Sequence, residues 1–280
     1  MSVRITALIE DSWDNEALLN YEHGLSLYIE TEERNILFDT GQSGGFIENA
    51  KLLHKDLNKL DCIVLSHGHY DHAGGFIKLT ETIAELPELI VGEEFFLPKY
   101  KKIGKDEYKY LGLSFDEEFL RIRKQSLKKI SKDLEYLTDK IIIFHNFTRY
   151  TNFEPINDKF WCIRDQEYDV DEFRDEIVLG ILTEKGLVVI AGCSHIGIIN
   201  ILCTIQTRTG YPVYALVGGT HLIEADENRL EKTVQAFQAM NIKLIAVSHC
   251  TGDIGTGYMK RKLPDRFINN NTGNIIEIAE

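Results

Sequence analysis

The densest cluster of ligand-type side chains lies between Ser66 and Gly75, where three imidazoles and one carboxylate fall within six consecutive positions. His67 and His69 have the two-residue spacing that lets both side chains of an extended loop point toward the same ion. Asp71 and His72 follow where the chain turns toward a predicted helix, so they can serve a second ion. Groups so concentrated are costly to bury unless a cation neutralises them. The segment therefore predicts a metal-binding loop.

The elements around this loop alternate between strand and helix patterns. Short apolar runs typical of strands cover residues 3–9, 25–30, 35–38, 62–66, 177–182, 187–191, 214–217, 243–247 and 275–278. Helical spacing of apolar residues recurs over residues 46–53, 196–202 and 230–240, with Asp226 or Asn228 as possible N-caps of the last helix. Alternation in both halves of the chain predicts a layered α/β fold.

The region from about 95 to 172 is less regular than the rest. It contains a charged helix candidate at 117–136 and an aromatic-rich stretch at 144–161. No linker-like composition flanks it. We therefore interpret it as a helical insertion within a single domain of residues 1–280, and not as a second domain.

With these motifs the sequence resembles the metallo-β-lactamase superfamily. The match is to the His-x-His-x-Asp-His signature at residues 67–72 and to residues 37–41, which resemble the family's early strand ending in an aspartate, here Asp39. His195 and His249 each follow a later predicted strand, as in that family. The resemblance implies a four-layer αββα sandwich with one or two metal ions at one edge of the sheets.

Four further motifs resemble one branch of the superfamily, the branch named after 7,8-dihydropterin-6-methyl-4-(β-D-ribofuranosyl)aminobenzene-5′-phosphate synthase. They cover residues 22–26, 192–195, 218–222 and 248–252. In that branch a dihydropterin diphosphate is joined to an aromatic ribofuranosyl phosphate, and pyrophosphate leaves. Many members of the branch carry only the description of metal-dependent hydrolase.

The resemblance implies two metal sites whose ligands lie close to strand ends. The predicted ligands are His67, His69 and His195 for one ion, and Asp71, His72 and His249 for the other. Asp39 is expected to support these ligands by a hydrogen bond that fixes an imidazole tautomer. Imidazole-rich ligation favours zinc, with manganese or iron as alternatives.

The chain departs from the superfamily pattern at Cys193. An aspartate that bridges two ions normally ends this strand, whereas here the strand ends in Gly192-Cys193. A thiolate can bind a soft metal, and a buried cysteine can equally act as a small apolar side chain. Both interpretations stay open from sequence. The usual upstream histidine is also absent, and that region offers Asp175 and Glu176 instead.

The chemistry implied by such a site is hydrolysis. A water bound to zinc has its pKa lowered to about 7, so hydroxide is available to attack a carbonyl or phosphoryl centre. Asp71 is expected to act within the catalytic centre, and His221 to give a proton to the leaving group. A purely structural role for His221 is the alternative. His23 and Tyr70 are possible substrate contacts.

Charge and composition limit the class of partner. The 280 residues include 31 Lys and Arg against 44 Asp and Glu, a net charge of −13 that argues against nucleic acid as a partner. Residues 98–140 differ, because 12 basic and 8 acidic residues give them a local charge of +4. This segment is either a solvated part of the insertion or a basic lid over an anionic substrate.

The insertion's aromatic residues Phe153, Phe160 and Trp161 would suit a flat ring such as a pterin if they face the metals.

Further expectations concern the setting in which the protein works. No apolar run approaches the length of a membrane span, and the N-terminal residues lack the apolar core of a secretion signal. Five scattered cysteines argue against a disulfide framework and for a reducing, cytoplasmic compartment.

Three functions stay open from sequence. The leading hypothesis is a metal-dependent hydrolase of an anionic, phosphorylated or pterin-like small molecule. The first alternative is the synthase-type transferase, which releases pyrophosphate. The second alternative is a metal-holding binding or sensor protein without turnover, which Cys193 motivates. Oligomeric state is not predicted.

Overall fold

Two seven-stranded sheets and a smaller four-stranded sheet form the framework of the computed structural model, which describes residues 1–12 and 18–280. The strands are β1 (Val3–Ile9), β2 (Ser26–Thr31), β3 (Asn35–Phe38), β4 (Cys62–Val64), β5 (Glu88–Gly92), β6 (Lys99–Lys102), β7 (Tyr108–Tyr110), β8 (Leu127–Ile130), β9 (Leu134–Tyr136), β10 (Ile141–Phe144), β11 (Phe160–Arg164), β12 (Glu167–Val170), β13 (Val178–Thr183), β14 (Gly186–Ala191), β15 (Val213–Gly218), β16 (Leu244–Val247), β17 (Phe267–Asn269) and β18 (Ile275–Ile278). The helices are α1 (Gly45–Leu52), α2 (Tyr70–Ala73), α3 (Phe76–Thr82), α4 (Glu117–Arg123), α5 (Ile198–Thr209), α6 (Glu227–Ala239) and α7 (Gly252–Lys262).

Each large sheet is antiparallel on one side and parallel on the other. The first sheet has the order β18-β1-β2-β3-β4-β5-β8, and its strands β3, β4, β5 and β8 run parallel. The second has the order β17-β16-β15-β14-β13-β10-β9, with β14 to β17 parallel. The loops that follow β4, β14, β15 and β16 therefore leave from carboxyl ends of parallel strands, the usual place for a functional site.

The two large sheets face each other across an apolar core. Ile5, Ile29 and Val64 of the first sheet share one buried cluster with Ile143 and Ile190 of the second. Two further clusters lie on the outer faces of the sheets. Phe46 and Phe76 attach α1 and α3 to the first sheet, whereas Ile201, Phe237 and Met259 attach α5, α6 and α7 to the second. This helix–sheet–sheet–helix layering confirms the predicted αββα sandwich.

The predicted helix of the insertion forms only in part, and most of the insertion is strand. The candidate helix at 117–136 is helical only over α4, which is capped by Asp116 and ends at Lys124 in a left-handed conformation with φ of 54°. The chain then forms β8 and β9, which lie at edges of the two large sheets. Edge strands carry many lysines because one side faces solvent, so their charge pattern imitates that of an exposed helix.

The rest of the insertion forms the small sheet, in the order β12-β11-β6-β7. Alternation along β6 places Lys99 and Lys101 on one face and Tyr100 and Lys102 on the other.

The assignment of residues 1–280 to a single domain stays a prediction. Within the described residues, no helix is both long and apolar enough to cross a lipid bilayer. All five cysteines are free.

Candidate metal centre

Three imidazoles meet between the two large sheets, and we call them the first ligand group: His67, His69 and His195. Their ligand atoms lie within 4.8 Å of one another. His67 Nε2 is 3.1 Å from His69 Nδ1, and the ring centroids of His67 and His195 are 4.8 Å apart. His67 and His69 come from the loop after β4, and His195 comes from the loop after β14.

The first ligand group has the properties that a divalent ion requires. Burial lowers the pKa of His69 to about 3 and holds those of His67 and His195 well below the usual imidazole value. The imidazoles are therefore neutral and have lone pairs to share. His69 Nε2 and His195 Nε2 are buried with no hydrogen-bond partner among the described residues. Such orphaned nitrogens are rare in a protein interior, and a cation at this group would help to explain them.

Four more side chains, the second ligand group, lie directly beside the first: Asp71, His72, Cys193 and His249. His72 Nε2 is 3.0 Å from Cys193 Sγ and 3.2 Å from His249 Nε2. Asp71 Oδ2 is 3.5 Å from His249 Nε2 and 3.9 Å from His72 Nε2. The Cys193 side chain therefore lies among the predicted ligands of the second ion.

Charge at the second ligand group is divided between an acid and its imidazole neighbours. Burial alone would raise the pKa of Asp71, but His72, His23 and His249 together hold it well below the usual carboxyl value. Burial raises the pKa of Cys193 well above that of a free thiol. Because a bound cation favours the thiolate, binding to Cys193 would release a proton.

Asp39 lies where its predicted supporting role requires it. Its Oδ2 is 2.6 Å from His72 Nδ1 and accepts a hydrogen bond from Ser66 Oγ at 2.7 Å. Its Oδ1 accepts from the backbone N–H of Ser66 at 2.7 Å. With Nδ1 engaged by Asp39, the His72 Nε2 atom points toward the second ligand group.

Two carboxylates that the sequence analysis missed support His249. Asp11 Oδ1 is 2.7 Å from His249 Nδ1, and Asp11 Oδ2 is 2.9 Å from His23 Nδ1. Glu10 accepts a hydrogen bond from the His249 backbone N–H. The available signal was a pair of acids directly after the first predicted strand. Hydrogen bonds to Asp11 and Asp71 raise the pKa of His23 to about 9, so this imidazole is cationic near neutral pH.

A cavity of about 260 Å³ opens onto both ligand groups. Its lining includes His23, Tyr70 and His221, the predicted contact and proton-donor residues, together with Cys193. The small sheet and the chain beside it contribute Lys101, Lys109, Leu111 and Phe160. Of the three aromatic residues singled out in the insertion, Phe160 lines this cavity, whereas Phe153 and Trp161 are not part of its lining.

His221 lies at the edge of the first ligand group. Its ring centroid is 4.4 Å from that of His195 and 5.7 Å from that of Phe160. Burial and the nearby Arg229 charge lower the pKa of His221 to about 4, so its imidazole is neutral near pH 7 and presents one N–H. It is therefore close enough to the cavity to exchange a proton or a hydrogen bond with a bound molecule.

Comparison with known families agrees with this geometry. Residues 20–193 match the family model of the metallo-beta-lactamase superfamily, which is more than half of the chain. The chain belongs to the metallo-β-lactamase superfamily. The matched range contains the 67–72 signature, Asp39 and Cys193, and it ends just before His195.

Two proteins of Methanocaldococcus jannaschii and one solved structure are similar over nearly the whole chain. The 7,8-dihydropterin-6-methyl-4-(beta-D-ribofuranosyl)-aminobenzene-5′-phosphate synthase is 29% identical, with 99% of this chain and 97% of that protein covered. An uncharacterized protein of the same organism is 32% identical, with 95% and 98% covered. The crystal structure of Tm1679, a metal-dependent hydrolase of the beta-lactamase superfamily, is 29% identical with a TM-score of 0.86, covering 99% of this chain and all of the other.

Proposed function

We propose that the protein is a metal-dependent hydrolase that acts on an anionic small molecule and holds two divalent ions, zinc in the first instance. The observation that supports this most directly is the meeting of two buried ligand groups at the base of one cavity. His67, His69 and His195 would hold one ion. Asp71, His72 and His249 would hold the other, with Cys193 as a fourth ligand. Manganese and iron remain chemically compatible with the imidazoles.

An ion held here supplies a Lewis acid and a water whose pKa is lowered to about 7. The side chains around the cavity divide the remaining work. Asp71 contributes a carboxylate to the catalytic centre. His221, neutral and beside the first ligand group, would donate a hydrogen bond from its N–H to the leaving group.

The lining of the cavity supports an anionic, ring-bearing substrate. His23 is cationic, and Lys101 and Lys109 come from the basic segment that the sequence marks at 98–140. Lys101 also pairs with Glu224 of the same lining at 3.3 Å. Phe160 lies against the imidazoles, with ring centroids 5.1 Å from His195 and 5.7 Å from His69. A phosphate can pair with the cations while a flat ring packs on Phe160. This combination favours a phosphorylated or pterin-like compound, and Tyr70 would contact it beside His23.

The second candidate is a transferase that releases pyrophosphate. The 29% identity to the named synthase, over almost the full length of both chains, favours it. In both reactions the ligand groups would hold the ions beside the centre that is attacked. The two reactions differ in the nucleophile, which is water in hydrolysis and the aromatic co-substrate in transfer.

An assay of pyrophosphate release separates the two candidates. Protein reconstituted with zinc, and separately with manganese, is given a dihydropterin diphosphate with and without a ribofuranosylaminobenzene phosphate. Release with water alone supports hydrolysis, and release that depends on the second substrate supports transfer. No turnover on these substrates, or on a panel of generic esters and phosphodiesters, by protein that holds two ions would support the non-catalytic binding role.

Two variants test the roles of the site residues in that assay. His69→Ala should remove the ion of the first ligand group and most of the turnover, whereas His54→Asn, at an exposed position outside both ligand groups, should retain both. Lys109→Ala should raise KM for the anionic substrate with little change in kcat, while Lys105→Ala, in the exposed turn after β6, should leave KM unchanged. Full metal content in the His69→Ala protein would contradict the assignment of the first ligand group.

A further inference from the structure

The segment 171–176 runs behind the first ligand group and contacts both loops that carry it. In the sequence this segment includes Asp175 and Glu176, in the region where the superfamily pattern would place a histidine ligand. Both carboxylates are buried, and at most 1% of either residue is exposed. Neither belongs to a ligand group. Buried acids that bind no ion need another reason to be there.

Asp175 holds the signature loop from behind. Its Oδ2 accepts a hydrogen bond at 2.7 Å from the backbone N–H of Gly68, the residue between His67 and His69. Its Oδ1 accepts a hydrogen bond at 2.8 Å from Lys99 Nζ, whose other partner is Asp171 Oδ2 at 2.7 Å. The ammonium group of Lys99 compensates the buried charge, so Asp175 can remain a carboxylate and keep accepting from Gly68.

Glu176 holds the other loop. Its Oε1 accepts from the backbone N–H of His195 at 2.8 Å, and its Oε2 accepts from that of Ile196 at 3.0 Å. A carboxylate that receives two adjacent N–H groups restricts both the position and the direction of that peptide. The direction in which the His195 side chain leaves the backbone is thereby restricted as well.

The aromatic residue of the same segment completes the contact. The Phe173 ring is stacked on His195, with centroids 3.8 Å apart and planes at 2°. The same ring meets His69 edge-on at 5.5 Å. One short stretch of chain therefore contacts both sides of the first ligand group.

We infer that Asp175 and Glu176 are positioning residues for the first ion: Asp175 sets the loop of His67 and His69, and Glu176 sets His195. A histidine on this segment would help to fix the site by acting as a ligand. Asp175 and Glu176 instead fix the two ligand loops by hydrogen bonds, without being ligands themselves. Partners of this kind typically contribute 10–100-fold to metal affinity. This inference rests on the proposed function, because it assumes that the first ligand group binds metal.

The test measures zinc affinity of the full chain by competition with a chromophoric chelator, and ions per chain by elemental analysis. The variants are Glu176→Gln, Glu176→Ala and Asp175→Asn, and the matched control is Glu184→Gln in the exposed turn between β13 and β14. In Glu176→Gln one N–H would face an amide NH₂ in place of an acceptor. The His69→Ala protein identifies which binding step belongs to the first ligand group.

We expect Glu176→Gln and Asp175→Asn to weaken that step by about 10–100-fold, to leave the other step unchanged, and to alter the visible spectrum of cobalt bound in the first step. Glu176→Ala should weaken it at least as much, and the control should match the wild type. Equal zinc affinities in variants and wild type would overturn the inference, and so would equal weakening of both binding steps. Loss of the far-UV circular dichroism signal by all three metal-free variants would also overturn it. A wild-type protein that binds no ion would overturn the proposed function, whereas ion binding by wild type and variants alike would overturn the positioning role alone.

Discussion

As a ligand, Cys193 would set the metal preference of the second ligand group. A thiolate among Asp71, His72 and His249 favours zinc or cobalt over manganese, because a soft donor suits borderline and soft metals. Sequence alone left this cysteine open between ligand and core residue. Its Sγ lies 3.0 Å from His72 Nε2, within the second ligand group, so that a shared ion is open to test.

Cys193→Ser should therefore lower zinc affinity at one of two binding steps by at least the ~10–100-fold that is typical of losing a partner outside the ligand set. In cobalt-loaded protein it should also abolish the thiolate-to-metal charge-transfer absorption in the near ultraviolet. Absorption spectroscopy and chelator competition measure the two effects.

The matched control is Cys203→Ser, because Cys203 lies on α5, outside both ligand groups, and should leave both quantities unchanged. An identical cobalt spectrum in wild type and Cys193→Ser would show that the thiol does not bind the ion.

At the scale of elements, a buried ion cluster joins β6 to the segment behind the metal centre. Lys99 of β6 is 1% exposed and contacts Asp171 and Asp175, which are 2% and 0% exposed. Removal of one partner leaves uncompensated charge in the interior, which typically costs 3–5 kcal/mol. The small sheet is therefore held to the sandwich by charge as well as by apolar contact.

Lys99→Met should lower the free energy of unfolding of the metal-free protein by about 3–5 kcal/mol, because two carboxylates lose their cation. Denaturant titration followed by circular dichroism measures it. Lys105→Met, exposed in the turn between β6 and β7, is the control and should shift the midpoint little. Equal midpoints for the two variants would mean that the cluster contributes nothing to stability.

The elements that were predicted correctly have long or regular patterns. The stripe at 230–240 forms α6, and Asp226 caps it by accepting from the Arg229 N–H at 2.8 Å. The predicted helix at 117–136 forms only over its first seven residues, as α4. β8 and β9 are edge strands of four and three residues, and so short a pattern is dominated by the charges of the solvent-facing side.

At the scale of the whole molecule, the two ligand groups connect the two large sheets. His67, His69, Asp71 and His72 follow β4 of the first sheet, whereas Cys193, His195 and His249 follow β14 and β16 of the second. An ion that binds only the folded arrangement stabilises it by mass action, by about 2.7 kcal/mol for one site at a free concentration of 100 Kd. Metal content and stability should therefore be coupled.

Removal of metal with a chelator should lower the unfolding temperature, and zinc should restore it. Differential scanning calorimetry at fixed protein concentration measures both changes. His69→Ala should show a smaller recovery than wild type, because one ligand group is incomplete. Superimposable traces for metal-free and zinc-loaded wild type would contradict coupling between the centre and the fold.

The sequence by itself determined the family fold and predicted most of the side chains that the structure brings into the two ligand groups. The 67–72 signature is local, and His195 and His249 follow strands whose apolar runs are evident without a structure. Only the tertiary structure decided which carboxylates serve which imidazoles. Asp11 reaches His249 across 238 positions, and Asp175 reaches Gly68 across 107. Such pairs depend on how the sheets stack. The local sequence at the end of one strand does not show which residues of the opposite sheet will lie beside it.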